Sequence, residues 1–321
     1  MAASVLRNFD SKRLLVLAVV LAITLAAAVL TLNRLGATDV CGSNEAVEGV
    51  FLQQMVEHGA MLFPLENGHA PMYKPPLFHW SAAALDRLAG AEKVTAFNLR
   101  LPAALYAVAG AALTMAFAWD FLGGVGAALA GLILCGSYQY IEQGRIGRVD
   151  MTLCFFEALA LFAFMWWYAP AGSGNRRGSL RYLFALALGL GVLSKGPVGA
   201  ILPAAACGIF LLVHGRYRDL ARIAAPGPVL TAIVVGGSWY AACLFAHRYG
   251  FLDRQLGSEN FGRFFGMLGA MPPWYYLQPI LLNSAPFSLL VPIAVYAAMR
   301  SFRRDSGAPA AASQEERARE A

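Results

Sequence analysis

The chain has 321 residues; 58% are hydrophobic, only 14% are charged, and the mean hydropathy is +0.55. Ordinary soluble domains carry about 25% charged residues, so a single soluble globule is excluded. Disorder and a disulfide scaffold are excluded as well, because apolar content is high and there are only five cysteines. A polytopic all-α membrane protein remains, and the net charge of +6 bears on orientation rather than on nucleic acid.

Eight apolar runs read as spans: 14–32, 101–119, 122–140, 151–168, 182–194, 197–213, 226–246 and 279–299. The first follows Arg7, Lys12 and Arg13, but its apolar core exceeds the roughly 7–15 residues of a signal-peptide h-region. It is expected to stay as an uncleaved helix. The basic N-terminus, with Arg176, Arg177 and Arg181, then Arg216, Arg218 and Arg222, then Arg300, Arg303 and Arg304, puts both chain ends in the cytoplasm. The turn at Trp119–Phe121 is nearly neutral. The run after Pro75-Pro76 is too short to span and reads as a helix on the outer surface, with Trp80 at headgroup depth. The stretch 182–213 reads as two helices joined at Lys195-Gly196-Pro197, since a lysine in mid-membrane is costly and Gly-Pro breaks a helix. Residues 1–304 are expected to form one membrane domain and 305–321 a disordered cytoplasmic tail.

This topology brings loop 33–100, segment 141–150, the Lys195 turn and loop 247–278 to the outer face. The first loop carries Asn44, Glu45, Glu48, Asn67-Gly68, Tyr73 and Lys74. Read plainly, it is a solvated loop closed by proline turns. Read functionally, it holds acids and a lysine against a ligand lying in the lipid, the lysine for a phosphate and a carboxylate to activate a hydroxyl. The second segment places Glu142, Arg145, Arg148 and Asp150 at the mouth of a helix. Ion pairing at a helix end competes there with a functional role. Glu157 lies two turns beyond Asp150 on the same face, inside a span. His58, His69, His79 and His247 lack metal-ligand spacing and read as isolated surface histidines. Cys41 stands alone on the outer side; Cys135, Cys154, Cys207 and Cys243 fall in or near spans as free thiols.

The succession Asn44-Glu45, Asn67-Gly68, Lys74-Pro75-Pro76-Leu77, Arg100-Leu101-Pro102, Gly144-Arg145, Arg148-Val149-Asp150-Met151 and Lys195-Gly196-Pro197 resembles the bacterial protein O-mannosyltransferase superfamily. That superfamily includes the lipid A aminoarabinose transferases. Glu259-Asn260, Arg263-Phe264 and Pro273-Trp274-Tyr275-Tyr276-Leu277 also resemble its large outer loop, and the likeness runs over about residues 10–300.

The resemblance implies a GT-C membrane glycosyltransferase with a structured first outer loop. It would move a sugar from a polyprenyl-phosphate donor to a lipid, glycan or protein acceptor outside a bacterial inner membrane. It implies a catalytic base or acceptor-orienting acid at the start of the first loop, the place of Asn44 and Glu45, supported by Asp150. As asparagine cannot act as a base, Glu45 is expected to accept the proton and Asp150 to orient the acceptor. Lys74, Arg145, Arg148 and Lys195 would hold the donor phosphate. Glu48, Tyr73, Arg100 and Glu259 would support the site. No cofactor is implied with certainty, and a divalent metal is left open.

Three departures stand out. The family usually begins its first motif Asp-Glu, and asparagine at 44 cannot take a proton at neutral pH. Tyr73 replaces an acid that often precedes the lysine, which weakens a metal site. The chain ends soon after its eighth span, where relatives continue, so it reads as a fragment, a short variant or half of a split enzyme, the last with a separate chain supplying further helices. A non-catalytic polyprenyl-lipid-binding scaffold therefore stays open beside the enzyme, and a transporter is a weaker third reading.

Overall fold

The computed structural model describes residues 2–40, 42–169, 176–262, 265, 272–297 and 299–300. Cys41, Arg263, Phe264, Arg303, Arg304 and the tail 305–321 lie outside the described residues, as do the side chains of Arg7, Lys12, Arg13, Arg176 and Arg177.

The elements run α1 (Ala2–Leu32), α2 (Ser43–Val56), β1 (Leu65–Glu66), β2 (Ala70–Pro71), α3 (Leu77–Ala89), α4 (Ala96–Gly136) and α5 (Tyr138–Gln143). They continue with α6 (Asp150–Tyr168), α7 (Arg176–Lys195), α8 (Val198–Val213), α9 (Tyr217–Ile223), α10 (Pro226–Phe245) and α11 (Tyr249–Leu252). A π-helical stretch follows over Asp253–Gly262, and then a 3-10 turn over Pro273–Tyr276 leads into α12 (Leu277–Asn283). One compact unit comprises the chain up to Cys135 together with Tyr140–Met271; a second comprises Gly136–Gln139 and the residues from Pro272 onward.

Among the described residues, four helices are long and apolar enough to cross a membrane: Leu14–Leu32, Ala96–Gly136, Asp150–Tyr168 and Pro226–Phe245. Their outward faces carry exposed leucine, valine and isoleucine, such as Leu21, Leu25, Leu132, Leu230 and Ile233. Water would not tolerate so much apolar surface, whereas lipid does. The 41 residues of α4 are two helices, because Gly123 at φ 71° breaks the run and folds it back. Met115 and Gly131, each eight positions from Gly123, meet across this hairpin; a Cβ on Gly131 would lie 2.4 Å from Met115 Sδ. The two expected spans 101–119 and 122–140 are the arms of that hairpin.

Helices α7 and α8 are the two helices expected around Lys195. Gly196, at φ 94°, closes α7 by donating its N–H to Val192 O at 2.7 Å, and Pro197 opens α8. Small residues let α7 approach its neighbours closely, Gly189 and Val192 against Val235 and Gly236 of α10, and Gly191 against Gly199 of α8. The expected span 279–299 differs: Leu277–Asn283 and Phe287–Ala297 are bent by 110° across Ser284–Pro286.

Loop 33–100, expected on the outer face, is folded rather than merely solvated. Gly42 in extended conformation starts α2, and Glu45 in its first turn suits the helix dipole. Asn67 and Gly68, both at positive φ, form a tight hairpin that pairs Leu65 with Pro71 and Glu66 with Ala70. Helix α3 buries Phe78, His79, Ala82, Ala83 and Asp86 on one face and ends at Gly90 in the left-handed region. Phe51, Met55 and Met72 of this loop pack with Leu193, Trp239, Cys243 and Phe251, and so fasten it to α7, α10 and α11.

Candidate functional site

The four segments assigned to the outer face meet at one end of the helices. Gly147 N–H donates to Glu45 Oε1 at 2.7 Å, and Lys195 Nζ donates to Asp150 Oδ1 at 2.5 Å. Arg254 Nη1 donates to Pro71 O at 2.6 Å and lies 3.3 Å from Glu66 Oε2 through Nη2. A Cβ on Gly196 would lie 2.2 Å from Gln255 Nε2, so the Lys195 turn and the π-helical stretch are pressed together. Only glycine fits this close approach.

The centre of the cluster is cationic. Asp150, the first residue of α6, is bracketed by Lys195 Nζ and by Arg148 Nε, the latter 3.3 Å from Oδ2. Lys74 adds to the positive field at Asp150. Lys74 Nζ stands 4.8 Å from the centre of the Tyr73 ring, and the Arg254 guanidinium 5.3 Å from it. Cations over an aromatic face gain about 0.5–2 kcal/mol each. Burial, and then the charges of Glu48 and Glu259, push the Tyr73 phenol well above its ordinary value, so it stays a neutral hydroxyl. The structure thus brings Lys74, Arg148, Lys195, Asp150 and Tyr73 together. Arg254 joins them; its place on outer loop 247–278 was its sequence signal, masked by Asp253 beside it.

Two carboxylates are locked. Glu45 takes Arg100 Nε at 2.7 Å and Nη2 at 3.0 Å, while Arg100 also donates to the carbonyls of Leu35, Thr38 and Asp39. Burial raises the Glu45 pKa, but the Arg100 pair, the Gly147 N–H and the Arg148 charge outweigh it and hold the carboxyl low. Such a carboxylate is a poor proton acceptor. Its oxygens already accept three strong donors. Glu48, fully buried on α2, pairs with Lys74 and stands 3.0 Å from His79 Nε2. Burial again raises its pKa, and His79 and Lys74 more than reverse that. His79 is 0% exposed, which corrects its reading as an isolated surface histidine. The residue sits on the buried face of α3, one helical position from the expected Trp80.

Arg145 does not point at this cluster. Its Nη1 donates to Leu30 O at 2.6 Å and Thr31 O at 3.2 Å, and its Nη2 to Asn33 O at 3.0 Å. It caps the C-terminus of α1, where carbonyls have no intrahelical partner. With Arg34 and Arg100 it lines a separate cavity of about 400 Å³. Asn44 is exposed on the first turn of α2, one turn before Glu48. Glu259 acts on Tyr73 through its charge. Glu157, further along α6, feels Lys195. Among the described residues, no three His, Cys, Asp or Glu side chains converge as a metal-ligand set.

Known proteins resemble this chain in sequence and in fold. The profile of the dolichyl-phosphate-mannose-protein mannosyltransferase family matches residues 73–240. An uncharacterized protein of Aquifex aeolicus is 28% identical over 88% of this chain and 54% of its own length. An undecaprenyl phosphate-alpha-4-amino-4-deoxy-L-arabinose arabinosyl transferase of Pseudomonas aeruginosa is 30% identical over 55% of this chain and 32% of its own. Among solved structures, ArnT of Cupriavidus metallidurans bound to undecaprenyl phosphate superposes with a TM-score of 0.78 at 21% identity, covering 88% of this chain and 51% of that one. The Pmt1-Pmt2 O-mannosyltransferase complex of S. cerevisiae, bound to its sugar donor, gives 0.54 at 16% identity, covering 74% and 34%. The fold is therefore that of the GT-C membrane glycosyltransferases. The chain spans about half the length of the relatives it matches most broadly.

Proposed function

Since this chain belongs to the dolichyl-phosphate-mannose-protein mannosyltransferase family, we propose that it binds a polyprenyl-phosphate-linked sugar and transfers the sugar to an acceptor hydroxyl. The observation that carries the reading is the convergence of Lys74, Arg148 and Lys195 about Asp150 at the end of a lipid-facing helix bundle. These cations would hold the donor phosphate at the membrane surface, which the resemblance assigns to the outer side of a bacterial inner membrane. Arg145, spent on α1 carbonyls, is left out of that set.

The reaction proposed at this site is a direct displacement. The acceptor oxygen attacks the anomeric carbon, the bond from that carbon to the phosphate oxygen breaks, and configuration inverts. Polyprenyl phosphate leaves as an anion whose new charge Lys74, Arg148 and Lys195 stabilise. Glu45 is held by Arg100 and Glu48 by Lys74 and His79, both out of reach of solvent. Asp150, although paired with Lys195 and Arg148, is the more exposed carboxylate and the one an acceptor can approach. Asp150 orients the hydroxyl, whose proton passes to solvent as the new bond forms. Glu45 becomes a brace, exchanging the role the sequence suggested.

The test uses the purified full chain with a radiolabelled polyprenyl-phosphate sugar and follows release of polyprenyl phosphate. Release is expected, and Asn44→Asp is expected to speed it. Asn44 also favours a second reading, because it stands where the family places an acid. Binding of polyprenyl phosphate without transfer, with or without Asn44→Asp, identifies a binding subunit. Loss of neither binding nor transfer in Lys74→Ala and Lys195→Ala overturns the site.

A further inference from the structure

At the opposite end of α6 and α7 from Asp150 and Lys195 lies a second cavity, of about 290 Å³. Helix α6 has 19 residues, so the two sites stand about 28 Å apart along its axis, close to the thickness of a bilayer core. The cavity is lined by Trp167, Tyr168, Gly178, Arg181, Arg216, Asp219 and Arg222. Three arginines face one aspartate.

Arginines near a helix end commonly splay into solvent; Arg216 and Arg222 stay more than half exposed here, yet both are tied to one aspartate. Asp219, itself buried, accepts Arg216 Nε at 2.8 Å and Arg222 Nη1 at 3.1 Å. The Arg216 guanidinium lies 5.3 Å from the Tyr168 ring centre. Arg181 Nη1 donates to the Arg222 carbonyl at 2.9 Å. These contacts leave most guanidinium N–H groups without a protein partner among the described residues. The cluster keeps two positive charges in excess, around a space large enough for a tetrahedral anion. Tyr168, half-buried, supplies an amphipathic ring of the kind that belongs at a membrane interface, beside the core residue Trp167.

We propose that this cavity binds the phosphate of an anionic phospholipid headgroup in the leaflet opposite the donor site. The rigid forks of arginine match phosphate oxygens in pairs, and basic pockets between spanning helices hold acidic headgroups in this way. The Tyr168 ring would lie against the first methylenes of the lipid. The site shares no residue with the donor cluster.

The test is native mass spectrometry of the purified full chain titrated with phosphatidylglycerol, phosphatidylcholine of the same acyl chains, or inorganic phosphate. Preferential retention of phosphatidylglycerol is expected, weakened about tenfold in Arg181→Ala/Arg222→Ala, as for the loss of one charged contact or more. Arg181→Gln leaves both Asp219 pairs intact, so it reads the site if the double variant fails to fold. Lys74→Ala should leave the retention unchanged. Equal retention of both lipids, or no effect of Arg181→Gln and the double variant, overturns the proposal. Inorganic phosphate that displaces the lipid at millimolar concentration, and protects the wild type alone against heat, identifies a soluble phosphate as the occupant and overturns the lipid.

Discussion

Lys195, the last residue of α7, donates to Asp150, the first residue of α6, at 2.5 Å, and so fixes the relative register of two helices that pack along their length. The pair gives each partner a different experimental signature. Lys195→Ala should weaken binding of polyprenyl phosphate about tenfold, the worth of a charge-assisted contact. Asp150→Asn keeps the shape and should lower kcat at least tenfold while the lipid dissociation constant moves less than threefold. Titration calorimetry beside a transfer assay separates the two. An Asp150→Asn variant with full turnover would remove Asp150 from the chemistry.

Glu45 and Arg100 make a prediction about stability. Both are nearly buried, with 6% exposure each, and form a two-pronged pair. Glu45→Gln removes the carboxylate from a buried pair and leaves the guanidinium its carbonyl partners, a loss of up to about 3–5 kcal/mol. The melting temperature in detergent should fall by several degrees or more, and the surviving folded fraction should keep its kcat. A variant with unchanged melting and lost turnover would return Glu45 to the role of proton acceptor.

The buried Glu48 sets an acid limit. Its folded pKa lies below the ordinary value of 4.5, chiefly because His79 and Lys74 overcome the cost of burial. A depressed carboxyl stabilises the fold above its unfolded pKa and loses that contribution as pH falls through the folded one. Glu45 is shifted the same way. Stability contributed by this pair should hold down to about pH 4.5 and fall below it. In Glu48→Gln that lower slope should shrink, as measured by denaturation midpoints across pH 3–6.

Gly196 is conformationally and sterically committed. At φ 94° a side chain is strained by about 1–3 kcal/mol, and a Cβ would strike the Gln255 amide. Gly196→Ala should push Lys195 away from Asp150. Donor binding should weaken as much as in Lys195→Ala, although no charge is removed.

Much of the membrane scaffold was legible because long apolar runs and Gly-Pro breaks dominate their surroundings. The Lys195-Gly196-Pro197 joint and the hairpin of α4 both follow from such local signals. Helix α2 was not legible, because Glu45 and Glu48 sit on its buried face and spoil the apolar periodicity. Their partners, Arg100 and Lys74, lie 55 and 26 residues away, beyond any local pattern. The same holds for His79, whose burial depends on Glu48. The lysines and arginines of the site were legible as residue types, but Arg145 and Arg148, three positions apart, face different work. Sequence spacing could not tell which cation turned back to a helix end.

Arg145 also has a consequence for the order of synthesis. The carbonyls it closes belong to Leu30, Thr31 and Asn33, so the end of the first helix waits for a residue made 115 positions after Leu30. At about 5–20 residues per second, the ribosome needs several seconds to over twenty to deliver it. Through that interval the first helix can sit in the bilayer only with its terminal carbonyls turned to water or headgroups. Its final depth is therefore set late, when the second outer segment arrives and anchors it.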